Sequence, residues 1–223
     1  MPFTKHQGKT RMPRRAPLRD HLAGRSIDDI DYCVLDCEMS GLDVTRHEII
    51  SIGAVRIQGG EIDLGNSFYR VIRPERVNMS VDNVLIHRLN HDQVSAGEDP
   101  FRVMDDFLAF IADTVLVGHF ISIDLGFLNA LFVHQNRSRP SQPALDTRHL
   151  HEWYLDQQKD SHREPYDMHL TGIVKRMNIP QFPAHHAFYD ALTTACLFVK
   201  QLDILRSHGH QTLGDIYQIG REW

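Results

Sequence analysis

Five side chains set the chemistry this chain can do. Asp36 and Glu38 stand two apart in Tyr32-Cys33-Val34-Leu35-Asp36-Cys37-Glu38, Asp124 follows the apolar run Val115-Leu116-Val117-Gly118-His119, and His185 and Asp190 lie in His185-His186-Ala187-Phe188-Tyr189-Asp190. The first stretch is apolar and β-branched with no breaker, which predicts a strand. Side chains alternate along a strand, so Asp36 and Glu38 share a face, with Cα atoms roughly 6–7 Å apart, while Cys37 points the other way. Two carboxylates so placed can grip one hard cation or straddle two. Magnesium binds through few carboxylates and several waters, so three or four acids suffice. Phosphodiester hydrolysis commonly uses two divalent ions, one activating water and one stabilising the leaving oxygen.

Asp124 is expected where a helix begins just after a buried strand, and Asp190 in the first turn of a long helix. His185 precedes Asp190 by about 500° of helix at ~100° per residue, so the two would not share a helix face. The reading places His185 on the preceding loop, after Pro183, leaning over the same site. A histidine beside an ion-activated water is a natural general base at neutral pH. Each piece also has a plain structural reading. Asp-x-Glu recurs by chance, Asp124 could cap a helix, Asp190 could serve the helix dipole, and His185 is one of fifteen histidines.

The elements that would position these groups are legible from period and punctuation. Tyr32 to Glu38, Glu48 to Gln58 and Glu61 to Arg73 read as strands, with Gly59-Gly60 as the hairpin turn and Pro74 as the stop, giving an antiparallel meander. Ser80 to Leu89 reads as a short helix. Asp99-Pro100 opens another, through an N-cap and a first-turn proline. Val115 to Gly118 is a buried strand, Leu125 to Asn136 a helix, Ala144 to Thr147 a strand, and Arg148 to Leu155 a helix. Residues 157–167 read as loop and His169 to Met177 as a helix. The strongest helical period runs from Phe188 to Leu205, with Leu192, Ala195, Cys196, Val199, Leu202 and Leu205 on one face. The expected fold class is α/β, a mixed sheet with an antiparallel three-stranded meander flanked by helices.

At 223 residues, 42% hydrophobic and 24% charged, the chain fits one domain with a real core. Residues 1–28 read as a basic tail, 29–206 as the working domain and 207–223 as a short C-terminal extension. Residues 1–25 carry seven Lys or Arg against the single acid Asp20, although the whole chain is at −5. Such a tail could touch nucleic acid through phosphate attraction, or contact a partner protein, or be only a solvated leader. No apolar run reaches the ~20 residues of a membrane span, and no signal-peptide apolar region opens the chain. Cys33, Cys37 and Cys196 form no CxxC pair and read as reduced core thiols, which suits a soluble cytoplasmic protein.

The order Asp-x-Glu, then Asp, then His-x(4)-Asp resembles the DEDD-type 3′–5′ exonucleases, in the histidine branch that includes the proofreading epsilon subunit of bacterial DNA polymerase III. The resemblance runs from about Tyr32 to Gln201. Val34 to Asp43 resembles the first motif and Ile49 to Val55 its second strand. Tyr69 to Pro74 and Val84 to Asn90 are similar to the family's connecting regions. Val117-Gly118-His119 with Asp124 and Phe127-Leu128 resembles the second motif, and His185-x-Ala187-x-x-Asp190-Ala191 the third. The resemblance implies an RNase H-like fold and two Mg2+ or Mn2+ ions per site. Asp36, Glu38 and Asp190 would hold one ion, Asp36 and Asp124 would lie near the second, and His185 would deprotonate the attacking water. It also implies that Ser40, Gly41, Leu42, Ile86, His87 and Phe127 hold the terminal nucleotide by backbone contact, wedging or stacking.

One departure stands out. The family commonly has His-Asn-Ala-x-Phe-Asp where this chain has His119-Phe120-Ile121-Ser122-Ile123-Asp124, a change that bears on substrate contacts rather than on metal binding. Asp146 resembles a structural acid of the family. His149, His151, His162 and His169 fit no zinc spacing, and Lys175-Arg176 reads as a solvated helix end. About 17 residues follow the last long helix, which favours a stand-alone nuclease, or one recruited through the tail, over one with a polymerase-tethering segment. The leading expectation is release of nucleoside monophosphates from single-stranded DNA ends. RNA 3′-end trimming stands as the alternative within the same chemistry, and a non-catalytic nucleic-acid-binding module as the alternative outside it.

Overall fold

The computed structural model describes residue 18, residues 20–75, residue 89, and residues 91–158 and 167–221. Helix α1 (Asp20–Ala23) and a 3-10 turn (Ile27–Asp29) lead into β1 (Tyr32–Met39), β2 (Ile49–Gln58) and β3 (Glu61–Val71). Then come α2 (His91–Ser95), α3 (Pro100–Phe110), β4 (Val115–Gly118), α4 (Ile121–His134), β5 (Ala144–Asp146), α5 (Thr147–Gln157), α6 (Leu170–Arg176), α7 (Ala187–Ser207) and α8 (Leu213–Gly220). The five strands form one sheet in the order β3-β2-β1-β4-β5. β1 pairs antiparallel with β2 and parallel with β4, and β2 with β3 and β4 with β5 complete a mixed sheet.

Both faces of β1 are covered, as its near-continuous apolar run requires. Cys33, Leu35 and Cys37 face Met104 and Phe107 of α3 and Leu125, Leu128 and Phe132 of α4. Tyr32 and Val34 face the opposite way, toward Phe198, Leu202 and Leu205 of α7 and Ile216 of α8. The alternation therefore turns Asp36 and Glu38 toward the α7 side. Parallel pairing with β4 runs only from Tyr32 to Val34, so the two acids lie on the part of β1 beyond it, where the chain leaves β4 to start α4.

Gly53 fixes how close α7 can come. It lies opposite Asp36 in the β1–β2 register, and a methyl group there would sit 2.2–2.4 Å from the backbone of Ala187 and Phe188. Ala187 and Ala191 are fully buried in that contact layer. Small residues on both sides thus let the first turn of α7 rest directly on the sheet.

The expected elements are present where the chain is described, with ends shifted by a few residues. Asp99 caps α3 by accepting the N–H groups of Phe101 and Arg102, and Gly59 and Gly60 take positive φ in the β2–β3 turn. The expected helix over 80–89 falls almost wholly outside the described residues, and the expected loop over 157–167 largely so. Two boundaries change. Ile27 N–H donates to the Gln211 carbonyl and Leu213 N–H to the Arg25 carbonyl, so the chain is strapped into the body before residue 29. The expected C-terminal extension carries α8, closed by a Thr212–Asp215 capping box. Leu213, Ile216 and Tyr217 pack on Ile27, Leu145 and Leu150 in one core cluster. Eight residues with one polar face gave too short a period to distinguish from an extension.

Two outcomes follow. Gly53→Ala must move backbone, and overpacking of that kind costs about 1–3 kcal/mol. Thermal unfolding should drop by roughly 2–12 °C for a domain of this size, and an unchanged melting temperature would contradict the close approach. Ile216→Ala should lower stability by about 2–5 kcal/mol, as for a buried core aliphatic. A urea midpoint equal to wild type would show that α8 is not part of the core.

Candidate active site

Asp36, Glu38 and Asp190 meet at the open end of β1, and each offers a carboxylate oxygen lying within 4.8 Å of the others'. Among the described residues this is the cluster able to hold a metal ion. His149, His151 and His169 assemble none, and His162 lies outside the described residues. Asp124 stands apart from the trio. It comes from the first turn of α4, on the other side of the strand, and its Oδ1 accepts the Cys37 N–H at 2.8 Å. That bond occupies a β1 donor in the stretch that β4 no longer pairs, so the carboxylate is tethered to the backbone between the two β1 acids, Asp36 and Glu38.

The electrostatics of the site are those of like charges brought together. Burial, then the carboxylates of Asp124, Glu38 and Asp190, push Asp36 well above the usual carboxylate range. Burial pushes Asp124 up to about 7, against the Cys37 N–H, which favours its charged form. Asp190 is raised by burial and by Glu38, while the His186 and His185 N–H groups and the nearby His185 ring pull it back. Its Oδ2 accepts the His186 N–H at 3.1 Å. Asp124 and Asp190 each sit in the first turn of a helix, so two positive helix ends partly offset the crowding, by ~0.3–1 kcal/mol each. Three or four hard oxygen donors under mutual repulsion are the donor set that a divalent ion satisfies.

His185 is on the loop before α7, exposed, with φ +61°. A left-handed backbone at a non-glycine residue marks a position held by its surroundings. Its charge acts on Asp190, which places it beside the acids. The expected nucleotide contacts differ in exposure. Ser40 is fully buried. Its Oγ accepts the Glu48 N–H and faces His47 Nδ1, and its own N–H donates to the Glu48 carbonyl, so it locks the β1–β2 connection. A side chain at Gly41 would strike the His47 ring. Leu42 is 83% exposed and stands free. Phe127 is only 4% exposed: it is packed among core side chains, although it also lines a small cavity. Ile86 and His87 lie outside the described residues.

Phe120 occupies a left-handed position (φ 56°, ψ 39°) at the start of α4. Asn tolerates that conformation, whereas for most L-residues it costs about 1–2 kcal/mol, so the common Asn and the Phe here answer to the same turn. The Arg148 guanidinium lies 5.2 Å from the Phe120 ring centre. Asp146 accepts the N–H groups of Phe120, Ile121 and Arg148, which makes it the structural acid expected. His119 is equally structural. Burial lowers it to about 4, so it is neutral. Its Nε2 donates to the Met168 carbonyl and its Nδ1 accepts from the Thr147 hydroxyl, both at 2.8 Å.

Sequence reasoning missed an aromatic ladder beside the acids. Tyr69 stacks on His186 (4.6 Å, 23°), His186 meets Tyr189 at 4.7 Å, and Tyr189 lies parallel to Phe182 at 6.4 Å. Glu38 is close enough to raise the Tyr69 hydroxyl, after burial. The signal was the register that sets Tyr69 across from Gly53, which no single-strand pattern reveals.

Comparison with known proteins agrees with this geometry. The DNA polymerase III PolC-type proteins of Bacillus subtilis and Halalkalibacterium halodurans are 30% and 31% identical over 87% and 78% of this chain. The chain spans only 13% and 11% of their lengths. Among solved structures, cell-death related nuclease 4 superposes with a TM-score of 0.69 at 13% identity, covering 82% of this chain and 66% of that one. Exonuclease I gives 0.69 at 14%, covering 80% and 44%. Exonuclease X in complex with 5′ overhanging duplex DNA gives 0.62 at 20%, covering 84% and 98%. At such identities these structures speak for the fold alone, which is RNase H-like. The RNase T exonuclease family model matches residues 33–198, well over half of the chain and all five site residues, and the chain belongs to that exonuclease family.

Proposed function

We propose that this exonuclease works in the 3′–5′ direction on single-stranded DNA ends, releasing nucleoside 5′-monophosphates, with two Mg2+ or Mn2+ ions per site. The observation that carries the reading is the convergence of Asp36, Glu38 and Asp190 within 4.8 Å, from the first strand and the last long helix. Divalent ions bound there polarise the phosphodiester and make water acidic. Asp36, Glu38 and Asp190 hold one ion, and Asp36 with the tethered Asp124 serves the second. His185, exposed and next to Asp190, takes the proton from the attacking water. Leu42 and the Gly41 backbone are the accessible wedge for the terminal base. Ile86 and His87 are further nucleotide contacts by the family resemblance alone, Phe127 backs a small cavity from the core side, and Ser40 acts through the backbone it fixes. The Tyr69–His186–Tyr189 ladder suits a single strand, since every base has a π-face to stack. DNA is favoured over RNA because the curated relatives are named as DNA polymerases and one structural neighbour is titled as a DNA complex. The basic N-terminal residues add a sequence-independent attraction to the phosphate backbone.

A 5′-labelled DNA strand and its RNA counterpart, incubated with Mg2+, Mn2+ or EDTA, test the reading. The expected product is a ladder shortening from the 3′ end, absent in EDTA and with Asp190→Asn. His185→Ala should lower kcat by about 10²–10⁴-fold, the usual contribution of a general base. Oligomers left intact with every metal would sink the proposal, and faster loss of the RNA would redirect its substrate.

A pH dependence follows as well. Acids whose folded pKa is raised bind more protons folded than unfolded, so they favour the fold fully below about pH 4 and lose that contribution as pH rises toward 7. Metal competes with those protons. The gain in melting temperature from adding Mg2+ should therefore grow between pH 5.5 and 8, and vanish in Asp190→Asn. A gain independent of pH would contradict this.

A further inference from the structure

A second cavity, of about 660 Å3, opens between α5, α6 and α7, within the size range of small-molecule sites. Arg176 and Lys200 contribute cationic groups to its wall, and His151, Tyr154 and Gln158 contribute polar ones. None of the described lining residues is acidic. His151 is only 2% exposed, yet its Nδ1 has no hydrogen-bond partner among the described residues, a state that buried polar atoms rarely keep. The charge of Arg176 reaches that ring. Lys200 follows Asp190 by ten residues on the same helix, about 15 Å along its axis at ~1.5 Å per residue, so the cavity is separate from the acid cluster.

From this wall of two cations and neutral donors we infer that the cavity is a binding site for a phosphate group. Guanidinium and ammonium groups supply the charge-assisted hydrogen bonds that phosphate oxygens take. His151 backs the wall from the buried side, and Tyr154 and Gln158 give hydrogen-bonding groups beside the two cations. The phosphate can come from a free nucleoside monophosphate or from a nucleic-acid strand, two sources of the same chemistry. The inference does not depend on the catalytic reading, because neither the acids nor a metal take part.

Isothermal titration of the full chain in EDTA tests it, with three probes: inorganic phosphate, deoxyadenosine monophosphate and a short single-stranded oligonucleotide. The expected result is saturable binding that Lys200→Glu and Arg176→Glu each weaken at least about tenfold and Asp190→Asn leaves unchanged. Tighter binding of the mononucleotide than of the oligonucleotide assigns the free-nucleotide source, and the reverse order assigns the strand. In wild type, the His151 Cε1–H resonance should move on addition of the tighter-binding probe. The inference is overturned if no probe binds beyond chloride at matched ionic strength, if binding survives both charge reversals, or if Asp190→Asn abolishes it.

Discussion

The contact of the first turn of α7 with Gly53 is what the rest of the site depends on. Asp36 and Glu38 are fixed by the sheet, and Asp190 reaches them only because nothing but hydrogen stands between strand and helix at the register position of Asp36. The fold presses α7 down with apolar area: Phe198, Leu202 and Leu205 bury against Tyr32, Val34 and Val55. That burial, at ~1.5–3 kcal/mol per large side chain, opposes the repulsion gathered at the helix start. A core that large can hold an unfavourable cluster in place.

Each acid is also restrained individually. Cys37 N–H holds Asp124 and His186 N–H holds Asp190, while strand pairing aligns Asp36 and Glu38. Backbone donors do this without adding a competing cation. The result is a set of negative oxygens preorganised for a hard ion, with pKa values pushed upward by burial and by one another.

Much of this was legible in the residues. Alternation along Tyr32–Glu38 gave the shared face of Asp36 and Glu38, and the angular mismatch between His185 and Asp190 put the histidine on a loop, where it is. What stayed hidden is what depends on neighbours far away in sequence. The pairing that sets Gly53 against Ala187 is one case, and the ring stack of Tyr69 on His186 another. The strapping of residues 25–27 onto 211–213 is the third, because a short segment fixed by backbone bonds leaves no period to read. Phe127 and Ser40 show the opposite limit, since both are buried and similarity of motif does not say which way a side chain turns.

The distribution of the acids along the chain has a consequence for biosynthesis. Asp36 and Glu38 leave the ribosome early, Asp124 midway and Asp190 late, and the helix bearing the last acid is also the one that covers the sheet beneath the first two. A nascent chain therefore carries no complete cation site until residue 190 has emerged and α7 has docked. Completion of the three-carboxylate cluster and closure of the core on the α7 side are thus one event.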